Sequence, residues 1–148
     1  AGYRMIGSSV TDPHWLDEVA GDDPVLMVAE GVLMYLAEPD VEQLLRRITA
    51  RFAGGQVAFD AYSRLGARIR KINPVIRRTG AALGWGLDDP RTLERSIPGL
   101  RLVTQMTAAD LLDGAMLARF SRPACLQLRL VNSVPALRRL GWILRYRF

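Results

Sequence analysis

The segment Pro24–Leu36, which reads P-V-L-M-V-A-E-G-V-L-M-Y-L, decides the fold class of this chain. Its five uncharged residues Val25–Ala29 run into Glu30 and Gly31, and a second apolar run follows directly. A continuous apolar run of this length predicts a strand buried on both faces, as in parallel sheets. Because ligands of open α/β sheets bind at the carboxyl ends of the strands, Glu30 lies where a ligand would be met. The alternative is that Glu30 caps the following turn or faces solvent.

The segments around this strand alternate between strand and helix patterns, which predicts an α/β sheet. The second predicted strand, Gln56–Asp60, again ends in a carboxylate. The other predicted strands are Tyr3–Ile6, Leu100–Gln105 and Trp142–Phe148, and Leu126–Val131 fits either a strand or a helix. The segment after Asp12-Pro13 fits a turn or a short helix. The predicted helices are Pro39–Phe52, residues 64–78, Pro90–Ile97 and Ala108–Leu112.

Composition narrows the classes of function. A chain of 148 residues with 49% hydrophobic residues fits one domain. It has neither an apolar run long enough for a membrane span nor a signal peptide at its start, so we expect no membrane partner and a cytoplasmic location. Cys125 is the only cysteine and stands in an apolar context, which favours a core residue over a nucleophile.

The net charge of +5 raises the question of nucleic-acid binding. The basic residues are nearly all arginines, dispersed among leucine and isoleucine without the interleaved aromatic side chains of RNA-binding surfaces. We therefore expect no nucleic-acid partner. A basic RNA-binding domain remains an alternative, and it would show salt-sensitive retention on nucleic acid.

Five segments carry a resemblance to a known family. V-A-E-G-V-L-M-Y-L at residues 28–36 resembles the signature of the leucine carboxyl methyltransferases, in particular their bacterial branch, which includes polyketide carboxyl O-methyltransferases of the tetracenomycin type. The other segments follow in matching order: Y-R-M-I-G-S-S-V-T-D-P-H-W-L at 3–16, F-A-G-G-Q-V-A-F-D-A-Y-S at 52–63, W-G-L-D-D-P-R-T-L-E at 85–94 and L-G-W-I-L-R-Y-R-F at 140–148.

The resemblance implies a Rossmann-like class I methyltransferase sheet, mostly parallel with an antiparallel C-terminal strand. The chain contains no Gly-x-Gly-x-x-Gly loop between a strand and a helix. Residues 1–148 would therefore form the C-terminal portion of the domain, from the third strand onward, without the N-terminal half that carries this loop. Residues 61–99 would include the substrate-lid insertion. The absent strands would leave the edge of Val25–Ala29 open to the missing N-terminal half or to a second copy of the chain.

The implied function is that of an S-adenosylmethionine-dependent O-methyltransferase acting on a carboxylate or hydroxyl of a small molecule, such as a polyketide-like acid. The chain taken alone is expected to be inactive, because it lacks part of the cofactor site. The alternative is a non-catalytic α/β fragment or interaction module that keeps the fold without the cofactor site.

Carried over by position, the cofactor S-adenosyl-L-methionine would be contacted by Ser9, Val10 and Glu30, with Gly31 beside the glutamate. Ser9 stands where the eukaryotic branch has an acid, so the carboxylate of Asp12 is expected to take over the contact to the adenine amino group. The alternative for Asp12 is capping of the short turn that follows it.

Two aromatic residues are candidates for the substrate pocket: Tyr35, which could equally be a core residue, and Trp85 in the lid insertion.

His14 is the only histidine, and it would be needed as a general base only if the methyl acceptor were a phenol. No cysteine, histidine or aspartate cluster has metal-ligand spacing, so no metal is expected.

Overall fold

The computed structural model describes residues 3–19, 21, 23–71, 82–107, 110, 121, 125 and 133–148. Within these residues four strands form one sheet: β1 (Val25–Ala29), β2 (Gly55–Tyr62), β3 (Arg101–Thr107) and β4 (Gly141–Arg147). The order across the sheet is β1-β2-β4-β3. β1 is parallel to β2, whereas β4 is antiparallel to both of its neighbours. The mixed α/β sheet with an antiparallel C-terminal strand confirms the predicted fold class.

Four helices connect or flank these strands: α1 (Glu38–Arg51), α2 (Arg64–Lys71), α3 (Arg91–Ser96) and α4 (Pro135–Arg138). Two 3₁₀ turns, His14–Glu18 and Leu33–Tyr35, lie before α1. Parallel strands need a crossover connection, and α1 supplies it between β1 and β2. Pro39 lies in the first turn of α1 beside the acids Glu38 and Asp40, which favour the positive end of the helix dipole. No helix among the described residues is long and apolar enough to cross a membrane.

The core lies on one face of the sheet. Alternate residues of β2 and β4 point to this face, where they meet the apolar side of α1. The residues that these three elements bury are Val41, Leu44, Leu45 and Ile48 from α1, Val57, Phe59 and Ala61 from β2, and Trp142, Leu144 and Tyr146 from β4.

The prediction that Val25–Ala29 is buried on both faces is wrong. Leu26 and Val28 are each 67% exposed, while Ala29 on the opposite face is buried. The strand forms where the apolar run predicts it, but only one of its faces packs against described residues. Among these residues β1 pairs only with β2, so its second edge is open within the described part of the chain.

The prediction of a strand over Tyr3–Ile6 is also wrong. This segment is irregular, and Tyr3 and Met5 are largely exposed. An isolated strand has no partner for its backbone groups, and the segment is instead held by the Arg4 guanidinium, which donates hydrogen bonds to the carbonyl and carboxylate of Glu18.

The remaining predicted strands are confirmed to within two residues at each end, and so is the helix predicted over Pro90–Ile97. The helix predicted over residues 64–78 is confirmed as far as Lys71, and residues 72–78 lie outside the described residues. Residues 126–131 also lie outside them, as do four of the five residues of the helix predicted over Ala108–Leu112.

The one-sided core leads to a prediction about two leucines. Leu44 is fully buried between α1 and the sheet, whereas Leu26 lies on the open face. Leu44→Ala should lower the free energy of unfolding by about 2–5 kcal/mol through lost burial and the cavity it leaves. Leu26→Ala is the matched control and should cost much less. Chemical denaturation monitored by circular dichroism measures both, and equal losses would contradict a core confined to one face.

Candidate functional site

Two carboxylates meet at one edge of the sheet. β1 and β2 pair in parallel register from Val25↔Gly55 to Ala29↔Phe59, so their carboxyl ends lie side by side. Glu30 follows β1 directly, and Asp60 is the next residue of β2 after Phe59. Both line a cleft of about 400 Å³. The remaining lining residues are Val28, Ala29, Ala58, Phe59, Ala61, Tyr62, Gly141, Trp142 and Ile143.

A hydrogen bond joins the ends of the two strands. The backbone N–H of Gly31 donates to Oδ1 of Asp60 at 2.7 Å. Gly31 has a φ of +64°, in the left-handed region that favours glycine, and this conformation turns the chain at the end of β1. The Asp60 carboxylate therefore fixes the turn from which the Glu30 side chain projects at the mouth of the cleft.

The floor of the cleft is the sheet itself, whose buried face is held by packed rings. Phe59 stacks on Tyr146 with ring centroids 5.6 Å apart, and it lies 6.1 Å from the ring of Trp85. Trp142 is buried, and its Nε1 donates to the carbonyl oxygen of Leu87 at 2.8 Å. The Tyr146 hydroxyl donates to the carbonyl oxygen of Pro90 at 2.8 Å, and burial raises the pKa of this hydroxyl. These contacts leave the floor little freedom to rearrange.

All the charged side chains that line the cleft are acidic. Glu30 and Asp60 are acids, and none of the other nine lining residues is basic. Two neighbouring carboxylates with no cation between them repel each other, and a positively charged group placed between them would be attracted by both. The arrangement therefore suits a ligand with a cationic part and an apolar part.

The loop with the predicted cofactor residues Ser9, Val10 and Asp12 does not line this cleft. The Arg47 guanidinium on α1 donates two hydrogen bonds of 3.1 Å to the carbonyl oxygen of Thr11 and so ties the loop to that helix. Oδ1 of Asp12 accepts from the backbone N–H of His14 at 2.9 Å, which is the capping alternative stated for this residue. The cofactor role of the loop stays a prediction.

The two predicted substrate residues lie in different surroundings. Tyr35 is in the second 3₁₀ turn, about half exposed and outside the cleft lining. Trp85 is buried in the main core, where its ring supports Phe59 from below the cleft. A direct contact between either residue and a substrate stays a prediction.

His14 is exposed on the first 3₁₀ turn, where its Nδ1 lies 3.6 Å from an Asp17 carboxylate oxygen, outside the cleft lining. Within the described part of the chain, no group of three or more histidine, cysteine, aspartate or glutamate side chains could hold a metal ion. The sequence contains a signal for Asp60 as a site residue, because the predicted strand Gln56–Asp60 ends in a carboxylate just as the run Val25–Ala29 leads into Glu30.

A second, more polar cleft of about 440 Å³ lies on the other side of Trp142. Its central group is Asp110, whose carboxylate accepts from the backbone N–H and hydroxyl of Thr107 and from the Arg138 guanidinium. The hydrogen bonds from Thr107, followed by that from Arg138, lower the pKa of Asp110 from 3.8 to about 2. This cleft is therefore held together by an ionised aspartate.

Comparison with curated proteins confirms the resemblance to tetracenomycin-type enzymes. Over 148 residues the chain is 43% identical to the tetracenomycin polyketide synthesis O-methyltransferase of Streptomyces glaucescens, covering 99% of this chain and 53% of that protein. Over 112 residues it is 36% identical to an S-adenosyl-L-methionine-dependent methyltransferase of Gibberella zeae, covering 70% of this chain and 38% of that protein. The chain thus spans about half the length, or less, of the curated relatives it matches. It matches no protein-family model.

Solved structures show the same fold at low identity. A DUF574 family protein from Streptomyces avermitilis matches 95% of this chain and 53% of its own, with a TM-score of 0.60 and 13% identity. A Thermobifida fusca protein described as a candidate methyltransferase matches 95% of this chain and 52% of its own, with a TM-score of 0.58 and 17% identity. At these identities the likeness shows the fold alone.

The lowered pKa of Asp110 gives a pH-dependent prediction. A carboxylate whose pKa is lower in the folded state stabilises it above pH 3.8, and this contribution is lost as the pH falls toward about 2. Asp110→Asn should therefore lower the melting temperature at neutral pH, and the difference from the wild type should shrink across that acidic window. Thermal unfolding at a series of pH values measures it. A difference that is the same at every pH would show that the charge of Asp110 contributes nothing.

Proposed function

We propose that this chain, a homologue of tetracenomycin-type O-methyltransferases, forms part of an S-adenosylmethionine-dependent O-methyltransferase that acts on a small molecule. The observation that carries the proposal is the two-carboxylate cleft at the carboxyl ends of β1 and β2. Open α/β sheets bind their ligands at this edge. The relatives from Streptomyces glaucescens and Gibberella zeae are methyltransferases by name, which supports the same activity here.

The cleft fits the proposed cofactor in charge and polarity. When bound, S-adenosylmethionine supplies an electrophilic methyl group on a positively charged sulfur. Glu30 and the turn at Gly31 offer a negative charge and a fixed backbone, and the apolar side chains of Val28 and Ile143 offer contact surface. Ser9, Val10 and Asp12 belong to the proposed cofactor site through the resemblance alone.

The protein promotes methyl transfer mainly by aligning the methyl donor with the acceptor. A carboxylate acceptor is already ionised at neutral pH, so it needs no general base, and its reaction is accelerated by holding donor and acceptor in line. The position of His14 outside the cleft lining accords with such an acceptor. We propose a carboxylate of a polyketide-like acid as the acceptor, with a hydroxyl as the alternative. We also propose a cytoplasmic location for the enzyme.

The open side of the sheet indicates a polypeptide partner. The outer edge of β1 is unpaired among the described residues, and Leu26 and Val28 expose apolar surface beside it. An apolar edge of this kind is satisfied in most proteins by another strand or a covering helix. We propose that the N-terminal half of the methyltransferase domain covers it, or else a second copy of this chain, and that residues 61–99 contribute to the cover over the acceptor.

Cofactor binding by the intact protein tests the function. Isothermal titration calorimetry with S-adenosylhomocysteine should show binding by the wild type, and Glu30→Gln should weaken it by about 1–3 kcal/mol, the scale of a hydrogen bond to a charged group. Glu42→Gln is the matched control, because Glu42 pairs with Arg46 on α1, outside the cleft. It should bind as the wild type does.

Two results would contradict this account. Absence of binding by the intact wild type would remove the cofactor and favour a non-catalytic interaction module. Unchanged affinity of Glu30→Gln together with lowered stability would show that Glu30 is a structural cap.

Residues 1–148 taken alone should show no methyltransferase activity and should self-associate through the open side of the sheet. Size-exclusion chromatography with light scattering measures the mass. Val28→Lys should shift it toward the monomer, whereas Leu65→Lys, at an exposed apolar position on α2, should not. A stable, soluble wild-type monomer would contradict the proposed need for a covering partner.

A further inference from the structure

The two carboxylate oxygens of Asp60 differ in their hydrogen bonding. Oδ1 accepts the hydrogen bond from Gly31 at 2.7 Å, and no described residue donates to Oδ2. The side chain is half-buried and lines the cleft between Glu30 on one side and the start of β4 on the other. Neither the resemblance nor any relative's name assigns a role to this residue.

We propose that Asp60 is a cofactor-facing residue with two tasks. Through Oδ1 it positions the Glu30–Gly31 turn, and through its negative charge it faces the sulfonium of the methyl donor. This inference rests on the proposed function and extends it to a residue of the neighbouring strand.

The electrostatics of the cleft call for a cation at this place. Glu30 and Asp60 continue paired positions on adjacent strands, whose backbones lie about 4.8 Å apart. Two carboxylates that share one cleft repel each other, and no lining residue supplies a positive charge to offset this. A cationic ligand relieves the repulsion, and a neutral one does not.

The surroundings of Asp60 select the sulfonium over the ammonium end of the donor. Asp60 lies one strand further into the sheet than Glu30. Its side chain shares a sheet face with the apolar side chains of Ala58 and Ile143, which also line the cleft. An ammonium is strongly hydrated and seeks several hydrogen-bond acceptors, which the exposed mouth at Glu30 can satisfy with water. A sulfonium has no N–H to satisfy and carries apolar carbon groups, so it suits the half-buried position at Asp60.

The test compares two ligands that differ at the sulfur. S-adenosylmethionine has a positive sulfur, and S-adenosylhomocysteine has a neutral one. Asp60→Asn keeps an oxygen that can accept from Gly31 and removes the charge. In the intact protein, calorimetry should show the affinity of this variant for S-adenosylmethionine lowered roughly tenfold or more, with S-adenosylhomocysteine nearly unaffected. Asp60→Ala should weaken both ligands, since it also frees the turn.

Two further variants make the result specific. Glu42 provides the control, because its carboxylate accepts from the Arg46 guanidinium at 2.9 Å on α1, outside the cleft lining. Glu42→Gln should leave both affinities unchanged. Asp60→Glu restores the charge, and it should recover the preference for the cationic ligand if Asp60→Asn has lost it.

The outcomes distinguish a failure of the proposed role of Asp60 from a failure of the proposed function. A wild type that binds neither ligand overturns the proposed function, and the inference with it. A wild type that binds both ligands, with Asp60→Asn unchanged for both or weakened equally for both, overturns the role of Asp60 and leaves the proposed function standing. If Asp60→Asn unfolds, Asp60→Glu decides, and a loss of cation preference in that folded, charged variant contradicts the proposal.

Discussion

The parallel pairing of β1 with β2 is the constraint on which the site depends. Because the two strands run the same way in register, Glu30 and Asp60 lie at neighbouring positions near the same edge of the sheet. The hydrogen bond from Gly31 to Asp60 then couples the two ends, so that the position of one carboxylate depends on the other. The crossover helix α1 makes this pairing possible, and it packs on the core face of both strands.

The antiparallel strand β4 provides the other wall of the site. Its start brings Gly141, Trp142 and Ile143 into the cleft, and its buried residues fix Phe59 through the ring of Tyr146. Trp142 stands between the acidic cleft and the more polar cleft around Asp110. The sheet order β1-β2-β4-β3 therefore determines which side chains surround the two carboxylates.

Much of this arrangement can be predicted from the sequence. The apolar run before Glu30 gives β1 and its carboxyl end, and the resemblance gives the antiparallel last strand. The exposure of Leu26 and Val28 cannot be read from an apolar run, because burial depends on what covers the face, and an apolar residue looks the same whether or not a partner is present. The same holds for Trp85, whose burial beside Phe59 is set by tertiary packing. The bond between Asp60 and Gly31 joins residues 29 positions apart, so no local pattern reveals it.

A crystal structure of the intact protein with S-adenosylmethionine tests the central claim most directly. We expect the ligand in the cleft at the carboxyl ends of β1 and β2, with its positive sulfur facing Asp60 and its ammonium facing Glu30. The polypeptide that covers Leu26 and Val28 should be visible in the same structure. A ligand bound elsewhere, with both carboxylates facing only solvent, would contradict the account.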